Sequence, residues 1–132
     1  MTGDVTTLAA RKFVSVTTFK KNGEAVAAPM WIDRDGADLF VWTPADSWKV
    51  KRVRNDPRVA LVPCSRFGKP DDGAHPVDGT AQVVTDAATV DRLTEVIRRK
   101  YGLEFHLVTF IERLAARGRR TPRVILRIAL AR

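Results

Sequence analysis

One cysteine, Cys64, and two histidines, His75 and His106, leave this chain without an intrachain disulfide and without a ligand cluster at metal-binding spacing. Nothing in it approaches the roughly 20 apolar residues that span a bilayer, and residues 1–12 carry no apolar run of signal-peptide length. A cytoplasmic protein with no membrane partner is therefore expected. No Ser-His-Asp, paired-carboxylate or Cys-His arrangement demands a catalytic role. Basic clusters occur at residues 49–58 and 117–123, but no helix-turn-helix, zinc-finger or aromatic ribonucleoprotein motif converts them into readout, so nucleic acid is not an expected partner. What remains is an ordinary globular composition: 132 residues, 45% hydrophobic and 29% charged, enough for a single domain over residues 1–132 with a core of its own. The 23 Lys and Arg against 15 Asp and Glu give +8, an excess that favours an anionic partner; a phosphate-bearing cofactor, nucleic acid and acidic lipid all satisfy it.

Residues 12–19 are rich in Val, Thr and Phe and stop at Lys20-Lys21-Asn22-Gly23, whose Asn-Gly pair suits a hairpin turn. A second strand is expected over residues 24–32, a turn over 33–36, and a third strand over 38–43, three sequential antiparallel strands in all. Pro29 removes a ladder hydrogen bond inside the second, which marks either an edge strand or a break where backbone faces a ligand. Residues 48–55 read as a short helix capped by Asp46 or Ser47 and ended by Asp56-Pro57. A strand apolar on both faces is expected over 58–64, with Cys64 a buried small hydrophobe, then an exposed loop over 65–74 and a strand over 76–85. Asp86 caps a helix that runs to Tyr101 and stops at Gly102. Residues 103–117 form another helix, stopped by Gly118, whose stripe of Leu107, Phe110, Ile111 and Leu114 is assigned to the core. Alternation of Val124, Leu126, Ile128 and Leu130 makes residues 123–130 a closing strand. Six short strands and three helices avoid exposed edges best by curling into a barrel.

The segment from Leu39 to Val59 joins a strand end, a loop of hydrogen-bonding residues and a helix N-terminus. Unpaired N–H groups and the helix dipole favour an anion there, with Thr43 and Ser47 supplying hydroxyls and Lys49 a charge. The same residues also fit a simple cap with Lys49, Lys51, Arg52 and Arg54 on a solvated helix face, and the residues alone leave both readings open.

Strand, Thr43, a three-residue spacer, Ser47-x-Lys49, a basic helix and Asn55-x-Pro57-Arg58-Val59 together resemble the signature of the pyridoxamine 5′-phosphate oxidase-like split barrels, in order over nearly the whole chain. The resemblance implies a mainly β fold with helices, a six-stranded antiparallel split β-barrel of the FMN-binding type. It assigns the cofactor phosphate to Thr43, Ser47 and Lys49, and the ring to the strand of Pro29, Met30 and Trp31. Trp42 and Trp48 then flank the cofactor or serve barrel and dimer packing. It also implies a homodimer with the cofactor at the interface. Ala27 stands where the flavin-phosphate enzymes carry a basic residue, and their C-terminal Trp-Arg pair is not recognisable in residues 123–132, so vitamin B6 oxidation is not expected. The likeness is closer to a short actinobacterial, F420-dependent branch, through Lys12-Phe13-Val14-Ser15-Val16-Thr17-Thr18-Phe19 and the Trp42-Thr43 to Lys51-Arg52 stretch. F420 is a deazaflavin with a phosphodiester and an oligoglutamate tail, and its charges suit Lys49, Lys51, Arg52 and Arg54. The expected activity is hydride transfer between reduced F420 and a small unsaturated substrate, chosen by the 65–74 loop or the C-terminal segment. The alternatives are an FMN-dependent oxidoreductase or flavin reductase of the same fold, and a non-catalytic F420 carrier.

Overall fold

The computed structural model describes residues 2–116 and 122–131. In chain order its elements are α1 (Thr2–Ala9), β1 (Val14–Phe19), β2 (Ala25–Met30), β3 (Ile32–Asp35), β4 (Asp38–Pro44), α2 (Trp48–Asn55), β5 (Arg58–Pro63), β6 (Val77–Val84), α3 (Ala87–Tyr101), α4 (Leu103–Ala115) and β7 (Arg123–Leu130). Gly23, at φ 88°, takes the left-handed position that folds β1 onto β2. The strand expected over 24–32 is interrupted at Trp31, so the described residues form seven strands rather than six. Residues 33–35, expected as a turn, belong to β3, and the reversal comes at Gly36 (φ 65°).

All pairings are antiparallel, in the order β2-β1-β5-β6-β7-β4-β3. The three antiparallel strands expected over residues 12–43 are present, β1 paired with β2 and β3 with β4, but the middle one is divided at Trp31, so β3 with β4 lies at one edge of the sheet and β2 with β1 at the other. These two edges are consecutive in the chain and meet at Trp31. One strand path thus supplies both edges, and the sheet curls into a split barrel to let it do so. Pro29 sits on the β2 edge, where its missing donor costs no inner ladder bond.

Side chains alternate between two cores. Val14, Val16, Ile32, Val41, Leu126 and Ile128 fill the barrel, which α1 closes with Val5 and Leu8 and α2 with Val50 and Val53. Helix α1 was not expected, because three apolar positions in eight residues make too short a periodic run to read. On the outer face, Phe40, Trp42 and Ile125 pack against Leu93, Ile97 and Tyr101 of α3 and Phe105 of α4. β5 is not buried on both faces as expected: Val59 and Leu61 point into the barrel while Ala60 and Val62 are half-buried. Cys64 is buried as expected.

Helix α3 is capped by Asp86, which accepts from the Thr89 N–H at 2.9 Å, and ends at Gly102 (φ 55°). The expected stop at Gly118 lies outside the described residues, and α4 ends at Ala115. The stripe assigned to the core is not in it. Leu103, Leu107, Phe110, Ile111 and Leu114 are 54% to 87% exposed, and only Phe105 is buried, because α4 meets the rest of the fold through its first turn and α3.

Candidate functional site

β4 delivers Thr43 to the mouth of the barrel, where it is 1% exposed, and α2 begins five residues later. The Thr43 and Ser47 hydroxyls lie 3.3 Å apart, and Ser47 Oγ accepts from the Val50 N–H at 3.4 Å as the cap of α2. Thr43 is therefore spent largely on holding the cap loop, while Ser47 remains half-exposed. Lys49 is half-buried with no acceptor or acidic partner among the described residues. Burial first, and the Arg52 charge second, pull its ammonium below the ordinary lysine value. Arg52 donates from Nε to Thr18 Oγ1 at 2.8 Å, tying α2 to β1, and Lys51 Nζ sits 4.3 Å from the Trp48 ring centroid. The start of α2 thus concentrates hydroxyls, free N–H groups and an uncompensated cation.

The expected site residues divide between two hollows. Trp48, Lys51 and Arg52 line a groove of about 600 Å³ together with Phe19, Lys20, Lys21, Val26 and Asn55. Pro29, Met30, Trp31 and Trp42 line a cavity of about 360 Å³ with Phe13, Arg66, Glu104, Val108, Glu112 and Arg123. Thr43, Ser47 and Lys49 are not in the wall of either. Reading the sequence missed Lys20 and Lys21, which registered only as turn residues, and singled out neither Arg66 within the 65–74 loop nor Arg123 within the basic cluster at 117–123. Among the described residues no group of three or more His, Cys, Asp or Glu could hold a metal.

The aromatic cavity is rigidly backed. Trp31 stacks on Tyr101 with centroids 4.3 Å apart and planes 12° from parallel. The Tyr101 hydroxyl accepts from the Ile32 N–H at 2.9 Å and donates to the Lys12 carbonyl at 2.8 Å, which holds the chain at the break between β2 and β3. Lys100 Nζ donates to the carbonyls of Ala9 and Arg11, each at 2.7 Å, and of Ile32. On the other side, Trp42 packs against Phe105 at 5.1 Å, and the Arg123 guanidinium lies 3.9 Å from the Trp42 ring centroid. Arg123 pairs with Glu112 of α4. The Trp42 indole N–H is buried without an acceptor among the described residues.

The fold recurs widely among solved structures. An F420 reductase superposes with a TM-score of 0.63 at 19% identity, over 96% of this chain and 92% of that one. A FAD-binding protein from Mesorhizobium loti gives 0.68 at 16% identity, over 98% and 87%. A heme storage protein from Vibrio cholerae gives 0.69 at 11% identity, over 98% and 89%. At such identities the likeness establishes the fold alone. No curated protein matches at the sequence level. Among the described residues no helix is long and apolar enough to cross a membrane. A sequence model of pyridoxamine 5′-phosphate oxidase matches residues 5–132, nearly the whole chain, so the chain belongs to that family.

Proposed function

We propose that this protein is an oxidoreductase that binds the deazaflavin F420 and passes a hydride between it and a small unsaturated substrate. The observation that carries the reading is Lys49: a half-buried ammonium beside Arg52, with no counter-ion among the described residues, at the capped start of α2. A buried charge is costly unless paired, and a phosphate would pair it. Ser47 and the first N–H groups of α2 would share that anion, and the basic groove with Lys51 and Arg52 would take further negative charge. Pro29, Met30 and Trp31 would lie beside the ring, whose orientation the Trp31–Tyr101 stack would fix. Trp42 and Phe105 would keep water from that wall. The bound deazaflavin would supply the hydride chemistry itself, so no protein nucleophile is required.

Titration of the protein with F420 and with FMN, followed by ligand fluorescence, tests this. F420 should bind, and Lys49→Ala should weaken it by about tenfold or more, the worth of one charge-assisted hydrogen bond. Absence of F420 binding would sink the reading. A preference for FMN would favour a flavin enzyme instead, against which stands Ala27, exposed on β2 where flavin-phosphate enzymes carry a cation. Turnover of enones and quinones with reduced F420 separates an enzyme from a carrier.

We also propose that a second copy of this chain covers α4. On ordinary residue areas the five apolar side chains leave on the order of 600 Å² exposed, close to one partner's share of a standard interface at ~800 Å². The same helix walls the aromatic cavity through Glu104, Val108 and Glu112, so a partner seated on α4 would border the site. Sedimentation should show a dimer that Leu107→Glu with Phe110→Glu converts to folded monomer; a monomeric parent would refute it.

A further inference from the structure

We propose that the cavity between Trp31 and Trp42 selects planar, conjugated carboxylates, with Arg123 and Arg66 receiving the carboxylate group. This rests on the oxidoreductase reading and names the substrate class of that site. The cavity, about 360 Å³, is walled by Phe13, Trp31, Trp42, Pro29 and Met30, an apolar slot suited to flat molecules, in which a ring against Pro29, Met30 and Trp31 would leave the Phe13, Trp42 and Arg123 side to the substrate. Its charged groups, Arg66 and Arg123 with Glu104 and Glu112, are equal in number, but both arginines are incompletely paired. The Arg123 side chain is only 15% exposed and is paired with a single oxygen of Glu112, which satisfies few of the guanidinium N–H groups. Arg66 stands 3.7 Å from Glu104, beyond hydrogen-bond length, and Glu104 is shared with Lys12. Burial also pulls Arg123 below its ordinary value, a cost that a second anionic partner would offset.

A carboxylate meets the incompletely paired guanidinium groups of Arg123 and Arg66 with two charged acceptor oxygens, whereas a neutral amide of the same shape offers them one weaker acceptor. Arg66 comes from the loop after β5 and Arg123 opens β7, so the preference arises from two segments brought together only by the fold.

Calorimetric titration of the cofactor-free protein with trans-cinnamate and with cinnamamide tests this without any deazaflavin. Cinnamate should bind saturably, at least about tenfold tighter than the amide, and Arg123→Gln or Arg66→Gln should remove that difference while leaving the amide unchanged. Melting curves identify a variant that fails to fold, and the other then carries the comparison. Equal affinity for acid and amide, no binding of cinnamate, or full discrimination in both variants would overturn the proposal. F420 binding is measured separately, so either reading can fail while the other stands.

Discussion

Replacing Tyr101 by Phe should unfasten the point where one strand path crosses from one edge of the barrel to the other. The hydroxyl is held between the Ile32 N–H at 2.9 Å and the Lys12 carbonyl at 2.8 Å, and Tyr101 itself is 5% exposed. Phe keeps the stack on Trp31 and removes only the oxygen. Ile32 is fully buried, so its N–H then has no water to turn to. One stranded buried donor and one weakened acceptor should cost about 2–3 kcal/mol, the range for buried polar groups left unpaired. For a domain of this size that is roughly 6–12 °C in Tm. Urea unfolding should show an earlier midpoint at unchanged slope, since neither the packing nor the surface exposed on unfolding differs. Tyr101→Leu should lose about 0.5–1.5 kcal/mol more, because it also removes the ring pair. If Tyr101→Phe stays within about 0.5 kcal/mol of the parent, the phenol does not hold the break and packing alone fastens the junction.

Three further outcomes follow from the same contacts. Burial raises the Tyr101 phenol well above its ordinary value of 10.0, outweighing the Ile32 backbone bond that lowers it. Above pH 10.0 the unfolded chain then binds fewer protons than the folded one, so the stabilisation complete below that pH declines as pH rises. The stability gap between parent and Tyr101→Phe should accordingly narrow in alkaline urea titrations. At Gly79, an added Cβ would lie 2.9 Å from the Ala129 carbonyl oxygen and 3.1 Å from Ile128 Cγ2, so Gly79→Ala should force β6 and β7 apart and cost about 1–3 kcal/mol by the same unfolding assay. Lys100→Met would strand the carbonyls of Ala9 and Arg11 and leave that of Ile32 with only the Tyr101 hydroxyl at 3.2 Å, and amides of α1 should exchange with deuterium about tenfold faster or more while those of β7 keep their protection.

Features encoded within a few residues were readable from the chain. Asn22-Gly23 set the first hairpin, Asp86 and Gly102 bracketed α3, and the alternation of Val124 to Leu130 announced β7. The Ser47 cap and its neighbour Thr43 were legible for the same reason, four residues being enough to place both hydroxyls. Pro29 marked an edge or a break in the second strand, but not that the break falls at Trp31, because what holds it there is Tyr101, 69 residues away from Ile32. Nor does the stripe on α4 say what covers it: an amphipathic helix records that one face leaves water, not whether its own core or another molecule receives it. Arg66 and Arg123 lay in segments noted for charge or for substrate choice but were not singled out, because their meaning lies in the aromatic wall they share, assembled from the residue before β1, the β2–β3 junction and β4.

The crossing at Trp31 also makes the barrel's seam a matter of covalent continuity. The two outermost strands are successive stretches of one backbone, so neither can peel away without dragging the other's first residue with it. An insertion or deletion between Met30 and Ile32 would reverse which side chains face inward on one margin but not on the other. A molecule resting on Trp31 touches the single peptide junction through which both margins of the sheet are positioned, so its occupancy should be felt as closely in the fit of the barrel as in the cavity itself.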